Sequence, residues 1–268
     1  VLVWAGSAIF EAPAAERFSG DGVLQLETRV VWNGKDEAGE WPLRAANGTL
    51  RLERLDLLMS GLALQREDGS WLESEDWQAF VSADKTSVVP PATGVPAEKF
   101  TGVRFQVGLP PTVNSSDPAQ WPAEHPLHPD VNGLHWGWQG GYVFLAMEGR
   151  WQQSDKTWSG FSYHVATDRH LTTVELPAQF QGGGPLTLRL ALDAATLLEG
   201  IDFERDGNST HSREGDELAT HLAANVTRAF RVESVHADRY QAQVVEREQP
   251  RPAGTTPLRL DITQRFPQ

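Results

Sequence analysis

The chain has 268 residues, of which 40% are hydrophobic and 22% are charged, a balance typical of an ordered globular protein. The formal net charge of −13 argues against nucleic acid or an anionic membrane surface as a partner. Cysteine is absent, which excludes disulfides, thiolate metal ligands and a cysteine nucleophile. No apolar run approaches the roughly 20 residues that a membrane span needs.

The first half of the chain alternates apolar and polar side chains in short segments. Residues 1–20 are rich in alanine and glycine and predict an extended N-terminal arm, without the basic region of a signal peptide. From residue 23, VLQLETRVVW has the period of a half-buried strand. TLRLERLDLLMSGLAL predicts one long strand, or two with a kink at Gly61, and FTGVRFQVGLP resumes the strand pattern. Residues 21–268 are predicted to form a single domain.

A long polar segment then runs through residues 110–134 and contains six prolines, and loops of this length are often functional. Strand candidates follow at YVFLAMEGRW, WSGFSYHVA, HLTTVELP and PLTLRLALD. Residues 214–230 predict a helix, because leucine, valine and phenylalanine recur every four residues along one stripe. The succession predicts an all-β fold, an antiparallel β-sandwich of Greek-key or immunoglobulin-like type with one helix in the C-terminal third.

The histidines are the side chains most suited to chemistry. Three of the eight, His125, His128 and His135, lie within eleven residues of one another. Without thiolates, imidazole is the expected ligand for copper or zinc. His164 lies inside the strand FSYHVA, where its side chain would be held firmly. Each histidine can equally be a surface or hydrogen-bonded residue, and His221, beside the apolar stripe of the helix, is expected to be structural.

Other readings of this region remain open. Trp136 and Trp138 can be core residues, since strands favour aromatic side chains, or they can form a shelf with Tyr142 for a glycan or other small ligand. The histidines with Asp130 or Glu124 can hold zinc in a hydrolase. The absence of HExxH, GxSxG, a phosphate loop and a dinucleotide fingerprint disfavours the common hydrolase and nucleotide-binding classes.

Several segments, in order, resemble the MbnP-like family, named for a protein found beside methanobactin gene clusters. FTGVRFQVGLPPTVNSSDP, HWGWQGGYVFLAMEGRW and FSYHVA carry the resemblance, which extends over about residues 23–236. The chain departs from the family pattern in having no cysteine and in having Ser115 where histidine is common. The matching positions are Gly108–Pro110, Asn114 to Pro118, Trp136 to Tyr142, Glu148 with Gly149, and Phe161 to His164.

The resemblance implies a periplasmic protein, its signal peptide removed, that binds copper as Cu(I) or Cu(II) and is not an enzyme. It also implies that a tryptophan, Trp136 or Trp138 here, is converted to kynurenine by a partner di-haem enzyme of the MauG/MbnH type. Kynurenine would then contribute to the copper site together with histidines. The expected ligands are His164 and His135, then His128, with His211 as a further candidate.

Overall fold

The computed structural model describes residues 16–35, 43–45, 48–74, 76–137 and 141–237. Most of the predicted N-terminal arm, Trp138 and residues 238–268 of the predicted domain lie outside these residues. The strands, in chain order, are β1 (Glu16–Arg17), β2 (Gly22–Val31), β3 (Leu43–Ala45), β4 (Gly48–Arg66), β5 (Trp71–Glu73), β6 (Gln78–Ser82), β7 (Ala92–Val95), β8 (Lys99–Val107), β9 (Val143–Gln152), β10 (Trp158–Ala166), β11 (Thr172–Gln181), β12 (Pro185–Asp193), β13 (Ser209–Thr210) and β14 (Phe230–Ala237). The helices are α1 (Pro111–Asn114), α2 (Pro129–Asn132), α3 (Ala194–Leu197) and α4 (Glu217–Ala229).

The strands form two sheets, which confirms the predicted β-sandwich. The larger sheet has the order β1-β5-β4-β9-β10-β13, with β3, β6 and β8 also paired to β4 and β11 paired to β8. The smaller sheet has the order β14-β12-β2-β7. Most pairings are antiparallel, as predicted, but β1–β5, β2–β12 and β10–β13 are parallel. These partners are distant in sequence, and only strands joined by a tight hairpin must be antiparallel.

A continuous apolar core lies between the two sheets. Leu24 and Leu26 of β2 are buried, as the alternation predicts, and they join the same cluster as β4 and β8 of the other sheet. The rings of Phe105 and Phe230 meet edge to face at 5.1 Å across the interface. Helix α4 begins after Asp216, whose carboxylate accepts a hydrogen bond from Ala219 N at 3.0 Å. Among the described residues, no helix has the length and apolar character of a membrane span.

The segment 110–134 covers the outer face of the larger sheet. It contains α1, α2 and a 3₁₀ turn at Pro118–Gln120, so it is more ordered than its composition suggests. Its Leu127 and Leu134 are buried in a second apolar cluster with Phe144 and Ala146 of β9. Trp136 follows this segment and packs against the same cluster, so the segment places its ring on the outer face of the larger sheet, at the candidate site.

Candidate metal centre

Three separate segments bring one tryptophan and two histidines together. The ring centroids of His164 and His211 lie 5.3 Å apart with the rings nearly perpendicular. The Trp136 ring lies 6.2 Å from that of His164 and 6.1 Å from that of His211. The three side chains therefore surround one small volume where β10 meets β13. His164, His211 and Trp136 all come from the set that the sequence predicted.

Strand β10 aims His164 away from the sandwich core. Tyr163 and Val165 are buried between the sheets, so the period of two places His164 on the opposite face. Strand β13 pairs in parallel with β10, with Tyr163 opposite Thr210, and this register puts His211 beside His164.

Ser212 fixes this arrangement on the chain that follows β13. Its Oγ accepts a hydrogen bond from Ala166 N at 2.8 Å and donates one to the His164 carbonyl at 3.0 Å. Its backbone has a φ of 55°, an uncommon conformation for a residue other than glycine. The loop that carries His211 is thus bonded directly to the strand that carries His164.

The two ring nitrogens of His164 have different surroundings. Nε2 lies 2.8 Å from Glu148 Oε1, and Ser162 Oγ lies 3.4 Å from the same nitrogen. Nδ1 is buried and has no hydrogen-bond partner in the part of the chain that the structure describes. A buried polar atom without a partner costs about 1–3 kcal/mol. An imidazole nitrogen with a free lone pair is also the donor that copper and zinc prefer, so the residues present fit a bound metal ion.

Glu148 belongs to a charged network on the outer face of the sheet. Arg54 donates to Glu148 Oε1 at 3.0 Å and to the fully buried carboxylate of Asp56 at 2.6 Å. Burial raises the pKa of Glu148, but the hydrogen bond from His164 and the charge of Arg54 outweigh it, and the pKa lies below its ordinary value. Glu148 is therefore an ionised hydrogen-bond acceptor at neutral pH.

His211 is the more exposed of the two histidines. Partial burial, the nearby His164 and the charge of Arg213 together lower the pKa of His211. A lowered pKa favours the neutral imidazole, which is the form that binds metal. The pair can thus offer two imidazole nitrogens to one soft or borderline ion.

The structure places the other predicted ligands in different surroundings. The His135 ring packs edge to face on Tyr142 at 4.7 Å, and His128 is the N-cap of α2, where its Nδ1 accepts from Asp130 N at 3.2 Å. Asp130, considered for a zinc site, has a side chain that is 92% exposed. Within the described ranges, no group of three or more histidine, cysteine, aspartate or glutamate side chains can hold a metal ion. His164 and His211 are therefore the two predicted ligands whose rings the structure brings together.

Tyr142 corrects the aromatic-shelf reading. Its side chain is 1% exposed, and its hydroxyl donates to the Leu127 carbonyl at 2.9 Å. Burial raises the pKa of Tyr142 to about 12. A buried ring cannot stack on a glycan, so Tyr142 cannot be part of the predicted shelf with Trp136 and Trp138. Tyr142 instead supports the loop that carries Trp136.

Sequence reasoning missed three contributors, Glu148, Arg54 and Ser212. The spacing of Glu148 to other carboxylates is not distinctive, because acidic residues are frequent in this chain. The available signal was that β9 and β10 form a hairpin with a short turn, in which Glu148 pairs with Ser162, two residues from His164. No local pattern pointed to Arg54 or Ser212.

The chain matches the family model described as MbnP over residues 21–212. Comparison with curated protein sequences finds no significant match. Among solved structures, MbnP from Methylosinus trichosporium is similar, with 20% identity, a TM-score of 0.52, and coverage of 81% of this chain and 98% of that chain. At this identity the structural match supports the fold, and the family model covers most of the sandwich. The chain therefore belongs to the MbnP family.

Proposed function

We propose that this chain is a periplasmic copper-binding protein, not an enzyme, whose site combines His164, His211 and an oxidised Trp136. The contact of these three rings, with Nδ1 of His164 buried and unpartnered among the described residues, is the observation that carries the proposal. Copper would take an imidazole nitrogen at each histidine. Because the family resemblance implies copper binding, we propose a role in copper homeostasis.

Two imidazoles leave room for one further ligand. Among the described residues, no group of three or more histidine, cysteine or acidic side chains is placed to hold a metal ion, and the Glu148 carboxylate is already bonded to His164 Nε2. An unmodified indole is a poor ligand, because its nitrogen carries a hydrogen and its lone pair belongs to the ring system. Kynurenine carries an aryl amine and a ketone, so the oxidation would convert the apolar neighbour of both histidines into a donor. This is the chemical reason for assigning the modification to Trp136.

The conversion requires an oxidant, which the partner di-haem enzyme would supply from hydrogen peroxide. Two equivalents of peroxide add one oxygen atom each across the C2–C3 bond of the indole and are themselves reduced to water. Hydrolysis then releases C2 as formate and leaves the aryl amine. The residue loses one carbon and gains one oxygen, so it is about 4 Da heavier than tryptophan.

The choice among the predicted residues follows from their surroundings. His164 and His211 are preferred as ligands because their rings meet, whereas His135 contacts Tyr142 and His128 caps a helix. Trp136 is preferred for modification because its ring lies beside both preferred histidines. Trp138 lies outside the described residues, and the experiment below separates the two.

The test is co-expression of the chain with a cognate di-haem oxidase, followed by peptide mass spectrometry and copper analysis. We expect a gain of about 4 Da located at position 136 and copper in the purified protein only when the oxidase is active. Trp136→Phe should abolish both, whereas Trp158→Phe, which removes an exposed tryptophan at the start of β10, should abolish neither. A mass gain that survives Trp136→Phe and is lost in Trp138→Phe would transfer the assignment. No mass gain with an active oxidase would refute the kynurenine.

A further inference from the structure

The geometry points to Glu148 as the positioning residue that fixes which nitrogen of His164 faces the metal, an inference that rests on the proposed function of the site. Glu148 accepts the hydrogen bond of Nε2, and this leaves the lone pair of a neutral imidazole on Nδ1. Nδ1 is the buried and unpartnered nitrogen in the described part of the chain. The hydrogen bond to Glu148 therefore leaves Nδ1 as the nitrogen of His164 that can bind a metal ion.

An ionised carboxylate can only accept hydrogen bonds, so it selects the tautomer. Ser162 Oγ, the other neighbour of Nε2 at 3.4 Å, can donate or accept and cannot make that selection. A carboxylate hydrogen-bonded to the second nitrogen of a ligating histidine also orients the ring and raises its basicity. Loss of such a partner commonly weakens metal binding about 10–100-fold.

Arg54 prevents Glu148 from turning away. The guanidinium joins the Glu148 carboxylate to the fully buried carboxylate of Asp56. Asp56 is fixed in turn by Ser82 Oγ at 2.6 Å and by Lys85 Nζ at 3.2 Å. The position of Glu148 is thus determined by strands β4 and β9 and does not depend on exposed side chains alone.

The same arginine reaches the segment that carries the tryptophan. Its second terminal nitrogen lies 3.5 Å from the carbonyl of Gly133, three residues before Trp136. A single network therefore contacts the strand that holds His164 and the loop that holds Trp136. Its arrangement sets the orientation of His164 before any metal arrives, which is the role we assign to it.

The decisive comparison is between Glu148→Met and Glu148→Gln. Methionine keeps the length of the side chain without a strong acceptor, whereas the glutamine oxygen can still accept from Nε2. Glu53→Gln is the matched control, because Glu53 is an ion-paired carboxylate on the same strand as Arg54, bonded to Arg150 at 3.1 Å. Thermal unfolding checks that each variant is folded, and Glu148→Ala replaces Glu148→Met if the latter is not.

The first readout is the His164 tautomer, observed by long-range proton–nitrogen NMR of the metal-free chain expressed alone. His164→Gln assigns the signals by removing one of the eight imidazoles. We expect a single Nε2–H tautomer in the wild type, in Glu53→Gln and in Glu148→Gln, and loss of that single tautomer in Glu148→Met. An unchanged tautomer in Glu148→Met overturns the proposal.

The second readout is the affinity for Cu(I), measured by competition with a chromophoric chelator on protein co-expressed with the oxidase. Glu148→Met should bind about 10–100-fold more weakly than Glu53→Gln, with Glu148→Gln in between. Equal affinity of Glu148→Met and Glu53→Gln overturns the proposal. If the wild type binds no Cu(I), the proposed function fails, and the tautomer comparison alone then decides the role of Glu148.

Discussion

Asn114 should anchor the loop that carries Trp136, and its replacement by alanine tests this directly. The Asn114 side chain is 9% exposed, its Oδ1 accepts from Tyr142 N at 2.8 Å, and its Nδ2 donates to Asp168 at 2.8 Å. Asn114→Ala leaves the buried Tyr142 N–H without an acceptor, at a cost of about 1–3 kcal/mol. Asp168 is exposed, so water replaces its lost partner at little cost. The expected loss of unfolding free energy is therefore about 1–3 kcal/mol.

Urea unfolding followed by tryptophan fluorescence measures this loss. Ser115→Ala is the control, because Ser115 is an exposed neighbour whose hydroxyl donates only to the Pro111 carbonyl at 2.7 Å among its described contacts. Its effect should stay within about 0.5 kcal/mol. Because the loop also presents Trp136, Asn114→Ala should lower the kynurenine yield under limiting oxidase, and Ser115→Ala should not. Equal stability of the two variants would refute the anchoring role.

Three further predictions concern stability. Burial lowers the pKa of His135 below 6.5, so the unfolded chain binds more protons than the folded chain at acidic pH. The free energy of unfolding should therefore fall as the pH drops below about 6.5. Urea titrations at several pH values should show a smaller fall for His135→Gln. Gly149→Ala should cost about 1–3 kcal/mol or more, because its Cβ would lie 2.1 Å from a carbonyl of β4, whereas Gly160→Ala, with no atom closer than 3.9 Å, should be tolerated in thermal unfolding. Asp56→Asn should lower the unfolding free energy by about 3–5 kcal/mol, because it removes the buried partner of Arg54; an unchanged urea midpoint would show that the network adds no stability.

Most strands and the long helix of this fold can be predicted from local sequence patterns. Alternation located β2, β4, β9 and β10, including the strand that carries His164. Of the two predictions for residues 49–64, one long strand is correct: β4 is continuous, and its pairing with β8 shifts register next to Gly61, which has a φ of 61°. Helix α4 begins at Glu217, three residues later than predicted, because Asp216 is the N-cap.

Local patterns do not predict which distant strands pair with one another. Strands β2 and β12 lie side by side in parallel although about 160 positions separate Leu26 from its partner Leu188. The two-residue strand β13 is too short to show any period, yet its pairing with β10 is what brings His211 to His164. The sequence therefore ranked His211 below His135 and His128, which lie close together in the chain. In the structure, His135 contacts Tyr142 and His128 caps α2.

Glu148 shows how narrow the margin is between a solvated carboxylate and part of a site. In the β9–β10 hairpin Glu148 is opposite Ser162, and His164 is its diagonal neighbour on the same face. A slip of one residue in that register would turn Glu148 toward the core and leave His164 Nε2 without its acceptor. The pairing of Arg54 with Glu148 across β4 and β9 adds a second constraint against such a slip. The network around the candidate copper site therefore also specifies the strand register that creates the site. We expect a residue inserted into the turn between β9 and β10 to preserve the fold and the Glu148–His164 contact only if the turn lengthens and the strands keep their register.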